Sequence, residues 1–177
     1  DVLTSLTGDV ATGTITFADG VGETAIITDY VGLYTAHAIE IPDTIQDRKV
    51  TTIGKEAFYK FDRLETVDFG DALVEIGVRA FSGCTDIEYI HLPSTFRKFG
   101  EECFFGSSSL REIRCLGGMP SFKASCLWDC PVSVFYPTTN PWPAEYVTPL
   151  YQSYQGKIQI FMGNGIEEAD KSVEAAE

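Results

Sequence analysis

Basic residues are scarce in this chain: lysine and arginine together number 13 against 26 aspartates and glutamates, giving a formal charge of -13 and a pI near 4.5. Nucleic acid and anionic membrane surfaces both need clustered cations, so the composition supports neither as a partner. Long apolar runs are missing too. No stretch approaches the roughly 18 to 20 residues that span a bilayer, and no charged-then-apolar leader opens the chain, so no membrane insertion by this segment is expected. The sequence starts at Asp1 without Met, so a signal peptide is expected to have been removed or to lie outside it, and its absence assigns no cytoplasmic address.

Histidine is rarer still, with only His37 and His91. Nucleophilic hydrolysis brings a Ser or Cys, a His and an orienting acid together, and no Gly-x-Ser-x-Gly elbow occurs. A phosphate loop, a dinucleotide fingerprint and an Asp-rich calcium loop are also missing. Carboxylate pairs, which suffice for glycoside hydrolysis, are unavoidable in so acidic a chain and discriminate nothing. The expectation is no enzyme, no catalytic residue and no cofactor.

The five cysteines are an odd number, which argues against a complete disulfide framework. Cys126-x-x-x-Cys130 has neither a second pair nor a nearby His to complete four metal ligands, so no metal site is assigned. A small apolar role in the core fits most of them. Cys103 and Cys126 sit one repeat apart, a spacing that also allows a disulfide if the repeats stack.

What the chain has in abundance is self-similarity. From Val50 to Arg114 it repeats every 23 residues without insertion or deletion. Ile53-Gly54, Ile76-Gly77 and Phe99-Gly100 keep that spacing, as do Phe58, Phe81 and Phe104, then Leu64, Ile87 and Leu110, and Val67, Ile90 and Ile113. Leu64 to Phe69 alternates as a half-buried strand. A turn, the apolar-Gly step and an Ala-Phe pair follow, the last on an expected single turn of helix. The Gly serves either a special backbone conformation or a close approach that a Cβ would block. Such a unit buries its apolar face only against its neighbours.

These residues resemble the leucine-rich repeats, in which L-x-x-L-x-L reads here as Leu64-x-x-Val67-x-Phe69, Ile87-x-x-Ile90-x-Leu92 and Leu110-x-x-Ile113-x-Cys115. The string Ile76-Gly77-Val78-Arg79-Ala80-Phe81-Ser82-Gly83-Cys84, followed by Ile87 and His91-Leu92-Pro93, is similar to the BspA-like variant of bacterial surface proteins. Ala72, Thr95 and Gly118 stand where Asn or Cys is usual, so no asparagine ladder is expected. The resemblance implies an α/β, short right-handed solenoid of about four rungs. It also implies a secreted or cell-surface bacterial protein with an adhesive role.

Around the repeats the sequence divides into residues 1–38, a loosely tied leader and a β-hairpin cap (Thr14 to Tyr30); 39–137, the repeats; 138–163, a strand-containing cap with Trp142; and 164–177, an acidic tail expected to be disordered. A polar insertion around Gln46 to Lys49 separates cap and first full repeat.

Parallel stacking makes residues 23 apart neighbours at about 4.8 Å. Three outward columns result: Glu65, Glu88 and Arg111; Thr66, Tyr89 and Glu112; and Asp68, His91 and Arg114. These nine are the ligand-binding candidates, with Tyr89 to stack and His91 and Arg114 to donate to an acidic or carbohydrate ligand. Four rungs present on the order of 300 Å², against roughly 800 Å² per partner in a standard protein interface. The expected function is therefore weak or multivalent binding of a protein or glycan. A purely structural spacer is the alternative, and a carbohydrate-active enzyme, which needs a deep pocket with two carboxylates, is the third. Oligomeric state is not encoded in these features.

Overall fold

A computed structural model of the chain describes residues 2–6, 13–31, 37–123, 125–154 and 158–163, so the acidic stretch 164–177 lies outside the described residues. The chain opens with β1 (Val2–Leu6), β2 (Gly13–Asp19) and β3 (Thr24–Val31). It continues through β4 (Ala38–Glu40), β5 (Thr44–Ile45), β6 (Arg48–Ile53), β7 (Thr66–Asp68), β8 (Glu75–Ile76), β9 (Tyr89–Leu92), β10 (Lys98–Phe99), β11 (Glu112–Cys115), β12 (Ser121–Phe122) and β13 (Ser133–Tyr136). The helix α1 (Ala144–Ser153) and β14 (Gln159–Met162) close it.

The strands form two sheets that enclose one core. One runs β1-β2-β3-β6-β8-β10-β12, with β5 paired to β6; the other runs β14-β13-β11-β9-β7-β4. Four rungs, β4/β6, β7/β8, β9/β10 and β11/β12, give one strand to each sheet in parallel register, as in Ile53↔Ile76↔Phe99↔Phe122 on the first and Ile90↔Ile113↔Val134 on the second, and β13 and β14 extend the second sheet alone. This is a β-solenoid. Its strand face has six strands where about four rungs were expected. The two end strands, β4 and β14, coincide with the strand alternation of Ile39 to Ile41 and of the stretch up to Phe161 in the sequence, but they lack the Gly and Phe columns by which rungs are counted there.

The 23-residue columns become ladders. Phe58, Phe81 and Phe104 stack nearly parallel at 5.1 and 5.4 Å, and Tyr30 of the hairpin cap continues the stack onto Phe61 at 5.0 Å. The glycines serve close approach. Gly77 and Gly100 donate to the carbonyls of Ile53 and Ile76 at 2.7 Å. A Cβ on Gly100 would stand 2.6 Å from the carbonyl carbon of Gly77.

The expected helical turn is absent. Alternate N–H groups leave the rung instead: Glu56, Phe58 and Lys60 donate to Val78, Ala80 and Ser82, while Ala57, Tyr59 and Phe61 donate three residues back. Left-handed residues recur in phase at Glu56, Arg79, Glu102 and Ser125 (φ 52 to 63°), which a helix would not tolerate. Each turn thus bonds both to itself and to the next rung.

Further detail concerns the flanks and the thiols. The leader is not wholly loose, because β1 pairs antiparallel with β2. The polar insertion is a tight hairpin joining β5 to β6, with Gln46 and Asp47 both at positive φ. The C-terminal cap contains α1 despite Pro149 in its interior, and Trp142 is buried against Tyr136 while donating to Gly117 O at 3.2 Å. The five cysteines are free and buried, yet two are more than apolar filler. Cys84 and Cys130 donate to the carbonyls of Phe58 and Phe104, as Ser107 does to Phe81, three members of one column with one role. Burial pushes both thiols up to about 12.

Candidate functional site

Backbone register places Thr66, Tyr89 and Glu112 in one column of the six-stranded face and His91 and Arg114 in the next, with Glu88 and Arg111 just before β9 and β11. Thr66 lies opposite Tyr89, Tyr89 opposite Glu112 and Glu112 opposite Ser133. His91 lies opposite Arg114, and Arg114 opposite Phe135. The backbone N–H of Arg111 donates to Glu88 O. Alternation along β9 sends Ile90 and Leu92 into the core and leaves Tyr89 and His91 outside.

The columns divide into three local arrangements. Glu65, Thr66, Glu88 and Tyr89 join Asp86 and Ser109 around an open hollow of about 400 Å³. Glu65 is held at 3.0 Å by His37 Nδ1, and Glu88 lies 3.8 Å from Arg111. Asp68 stands apart, opposite Glu40, beside a smaller hollow of about 210 Å³ that includes Asp43, Phe69 and Asp71.

The third arrangement departs from expectation. Glu112 is buried, its side chain 5 % exposed, with Oε1 3.0 Å from Arg114 Nη2 and 3.4 Å from His91 Nε2. Position 112 is crowded because residues two apart on a strand share a face with their cross-strand neighbours. Tyr89 and Ser133 flank it along its column, with His91, Arg114 and Phe135 in the column beside it. Among the described residues, Oε1 accepts no well-aligned hydrogen bond, and the buried Nε of Arg114 donates none. Charge and packing hold the contact and leave hydrogen-bonding capacity unused. His91, Tyr89 and Arg114 remain open to solvent at 55 %, 43 % and 33 %.

Sequence reasoning missed the aromatic end of this face. Phe135 is 1 % exposed and outside the main core, stacked at 5.3 Å on Phe161, which is partly open next to the exposed Met162. Arg114↔Phe135 is a 21-residue step; the stretch Val134 to Pro137 does read two residues early in the sequence, but only extending the outward columns through that slip brings Phe135 beside Arg114. Among the described residues, no three of His, Cys, Asp and Glu come together as a metal site.

Comparison with known proteins follows the same lines. A family model described as a BspA type leucine rich repeat region matches residues 34–140 in six copies. No curated protein matches the chain. Among solved structures, it is similar to a leucine rich cell surface protein from Faecalibacterium prausnitzii, at 20 % identity and a TM-score of 0.51 over 93 % of this chain and 52 % of that one. A Treponema (T. pallidum) leucine rich repeat protein is similar at 14 % identity and a TM-score of 0.38 over 78 % of this chain and 92 % of that one. The pneumococcal vaccine antigen PcpA is similar at 14 % and 0.42 over 78 % and 45 %. The chain spans about half the length of the Faecalibacterium protein.

Proposed function

This chain belongs to the BspA-type leucine-rich repeat family, and on that footing we propose that it is a non-catalytic binding module of a secreted or cell-surface bacterial protein. Its six-stranded face takes a protein or glycan ligand. The observation that carries this reading is the buried Glu112 between Arg114 and His91. Burying a carboxylate opposes stability unless it is paired, and a face that is merely solvated has no need of it. Here the carboxylate fixes a guanidinium and an imidazole beside the half-open Tyr89 ring. Arg and Tyr held in place before binding are the residue types that dominate recognition energy.

Size sets the strength of binding. Six strands at about 4.8 Å, three outward positions tall, present on the order of 400 Å², still about half of one partner's share of a standard interface. The binding is weak for one copy and strong when several copies act together. The test is a screen of immobilised extracellular-matrix proteins and glycans against the full chain, free and displayed in many copies on beads. Capture by the beads with little retention of free chain is expected; no capture in either form overturns the proposal.

A structural spacer is the second reading, favoured by the way polar groups on this face satisfy one another: His37 is hydrogen-bonded to Glu65, and Arg111 pairs with Glu88 and Arg114 with Glu112. Under that reading, attachment of the parent protein to its target survives loss of the exposed side chains on β9 and β11.

A further inference from the structure

Two of the five buried thiols face each other. The column Ala57, Ala80, Cys103, Cys126 runs through the turns on the inner side, and all four residues are buried. Phe81 N–H donates to Cys103 O at 2.8 Å and Phe104 N–H to Cys126 O at 3.0 Å, so Cys103 and Cys126 occupy equivalent places on adjacent rungs. Rung spacing of about 5 Å falls inside the Cα window of a disulfide. Cys103 Sγ lies 3.9 Å from Cys126 O, and Cys126 Sγ lies 3.0 Å from the Tyr154 hydroxyl. The other thiols are engaged elsewhere or isolated: Cys84 and Cys130 donate to Phe carbonyls, and Cys115 lies on β11.

We propose that Cys103 and Cys126 are a disulfide-forming pair that ties the turn after β10 to the turn after β12 when the chain folds in the presence of a thiol oxidant. The location gives the bond a purpose. The fourth repeat has Lys123 where Gly54, Gly77 and Gly100 stand, so the close backbone stack ends there, and Tyr154 closes over the turn by accepting from Leu127 N–H and donating to Lys123 O. A covalent tie at this point secures the rung that has lost its glycine. Extracellular conditions, in which disulfides persist, suit it.

Ionisation favours Cys126 as the attacking sulfur. Burial opposes loss of its proton, but once Cys126 is ionised the Cys103 thiol and the Tyr154 hydroxyl turn their protons to its sulfur, and the net direction is downward. Burial and the neighbouring Cys126 push Cys103 up. With a small disulfide such as oxidised glutathione, the Cys126 thiolate attacks one sulfur, a mixed disulfide forms and one glutathione thiolate leaves. Cys103 then gives its proton to that thiolate and attacks the Cys126 sulfur, expelling a second glutathione thiolate that takes up, from solvent, the proton Cys126 had released. Two protein thiols are oxidised and one small disulfide is reduced to two thiols. The pair is sealed beneath Tyr154 once folded, so the reaction belongs to folding or to opening of the C-terminal cap.

The test is to refold the full chain from urea in a buffer of oxidised and reduced glutathione, alkylate it under denaturing conditions, weigh it intact and map its tryptic peptides. Cleavage after Arg111, Arg114 and Lys123 separates the two cysteines. Three alkylated thiols are expected, with one linked peptide joining Cys103 to Cys126, and Cys126→Ser should lose that link. Five alkylated thiols, or a bond that includes Cys84, Cys115 or Cys130, would overturn the proposal. Cys126 and Cys130 share the tryptic peptide 124–157, so fragmentation of the linked peptide, or a second cut with chymotrypsin at Leu127 or Trp128, identifies the partner of Cys103 even if the variant does not fold.

Discussion

Replacing Gly100 by Ala separates two accounts of why glycine recurs every 23 residues. Gly100 is absent from the positive-φ residues, so a change to Ala meets no left-handed strain. On backbone entropy alone, Gly→Ala at such a site stabilises by about 0.4 to 1 kcal/mol. Stacking gives the opposite sign. The new Cβ would stand 2.6 Å from Gly77 C, 2.7 Å from Val78 N and 2.9 Å from Gly77 O, all backbone atoms that cannot swing aside. Opening the stack costs about 1 to 3 kcal/mol as overpacking. Lengthening the 2.7 Å bond from Gly100 N–H to Ile76 O forfeits about 0.5 to 1.5 kcal/mol more. Less the entropic gain, the expected net loss is about 0.5 to 4 kcal/mol, centred at about 2 kcal/mol, and a loss of about 2 kcal/mol in a chain of this size lowers Tm by about 4 to 8 °C. Urea unfolding followed by far-UV circular dichroism measures it, with the midpoint moving and the slope unchanged. A Gly100→Ala chain as stable as wild type, or more so, would refute close stacking as the reason for the column.

Two more expectations concern stability. Ser107 donates from a fully buried hydroxyl to Phe81 O at 3.0 Å, in a column whose other members include Cys84 and Cys130. Ser107→Ala should cost about 1 kcal/mol and Ser107→Cys less, by urea midpoint; equal stability of Ala and wild type would remove the hydrogen bond from the account. Trp142→Ala should cost about 3 to 5 kcal/mol by the same measurement. Trp142→Phe keeps the stack on Tyr136 and should lose only about 1 kcal/mol, and a neutral Ala variant would mean that the cap contributes little.

The solenoid was legible because its columns are strict. A residue such as Phe81 or Ile90 sees the same environment one rung away, so the 23-residue period survives in the sequence, and the strand-face register follows from it. The turns misled because Ile76 and Ala80, four apart, satisfy a helical spacing, while the N–H groups that leave the rung at every second residue have no signature in side chains. β4 and β14 show strand alternation in the sequence, at Ile39 to Ile41 and up to Phe161, but lack the Gly and Phe columns, so the strands are readable there and the rung count is not. α1 escaped because Pro149 argues against a helix that forms in spite of it. Glu112 is the instructive case. Its column and outward direction were readable, but its burial depends on Phe135, which reaches the site through a 21-residue step. The hydroxyl and thiol column of Cys84, Ser107 and Cys130 was visible as a column, yet its donor role required knowing where the Phe carbonyls of the preceding rung point.

The central claim is that the six-stranded face, and not the chain's acidity at large, makes the contact. Its most direct test compares bead-displayed wild type with a Tyr89→Ala, His91→Ala, Arg114→Ala triple variant on the same immobilised matrix proteins and glycans, with circular dichroism and Tm confirming that both are folded. Capture of the wild type and at least a tenfold loss in the variant, about 1.4 kcal/mol or more in binding terms, is the expected result. Equal capture of a folded triple variant would contradict the account and leave the strand face as a solvated surface of a spacer.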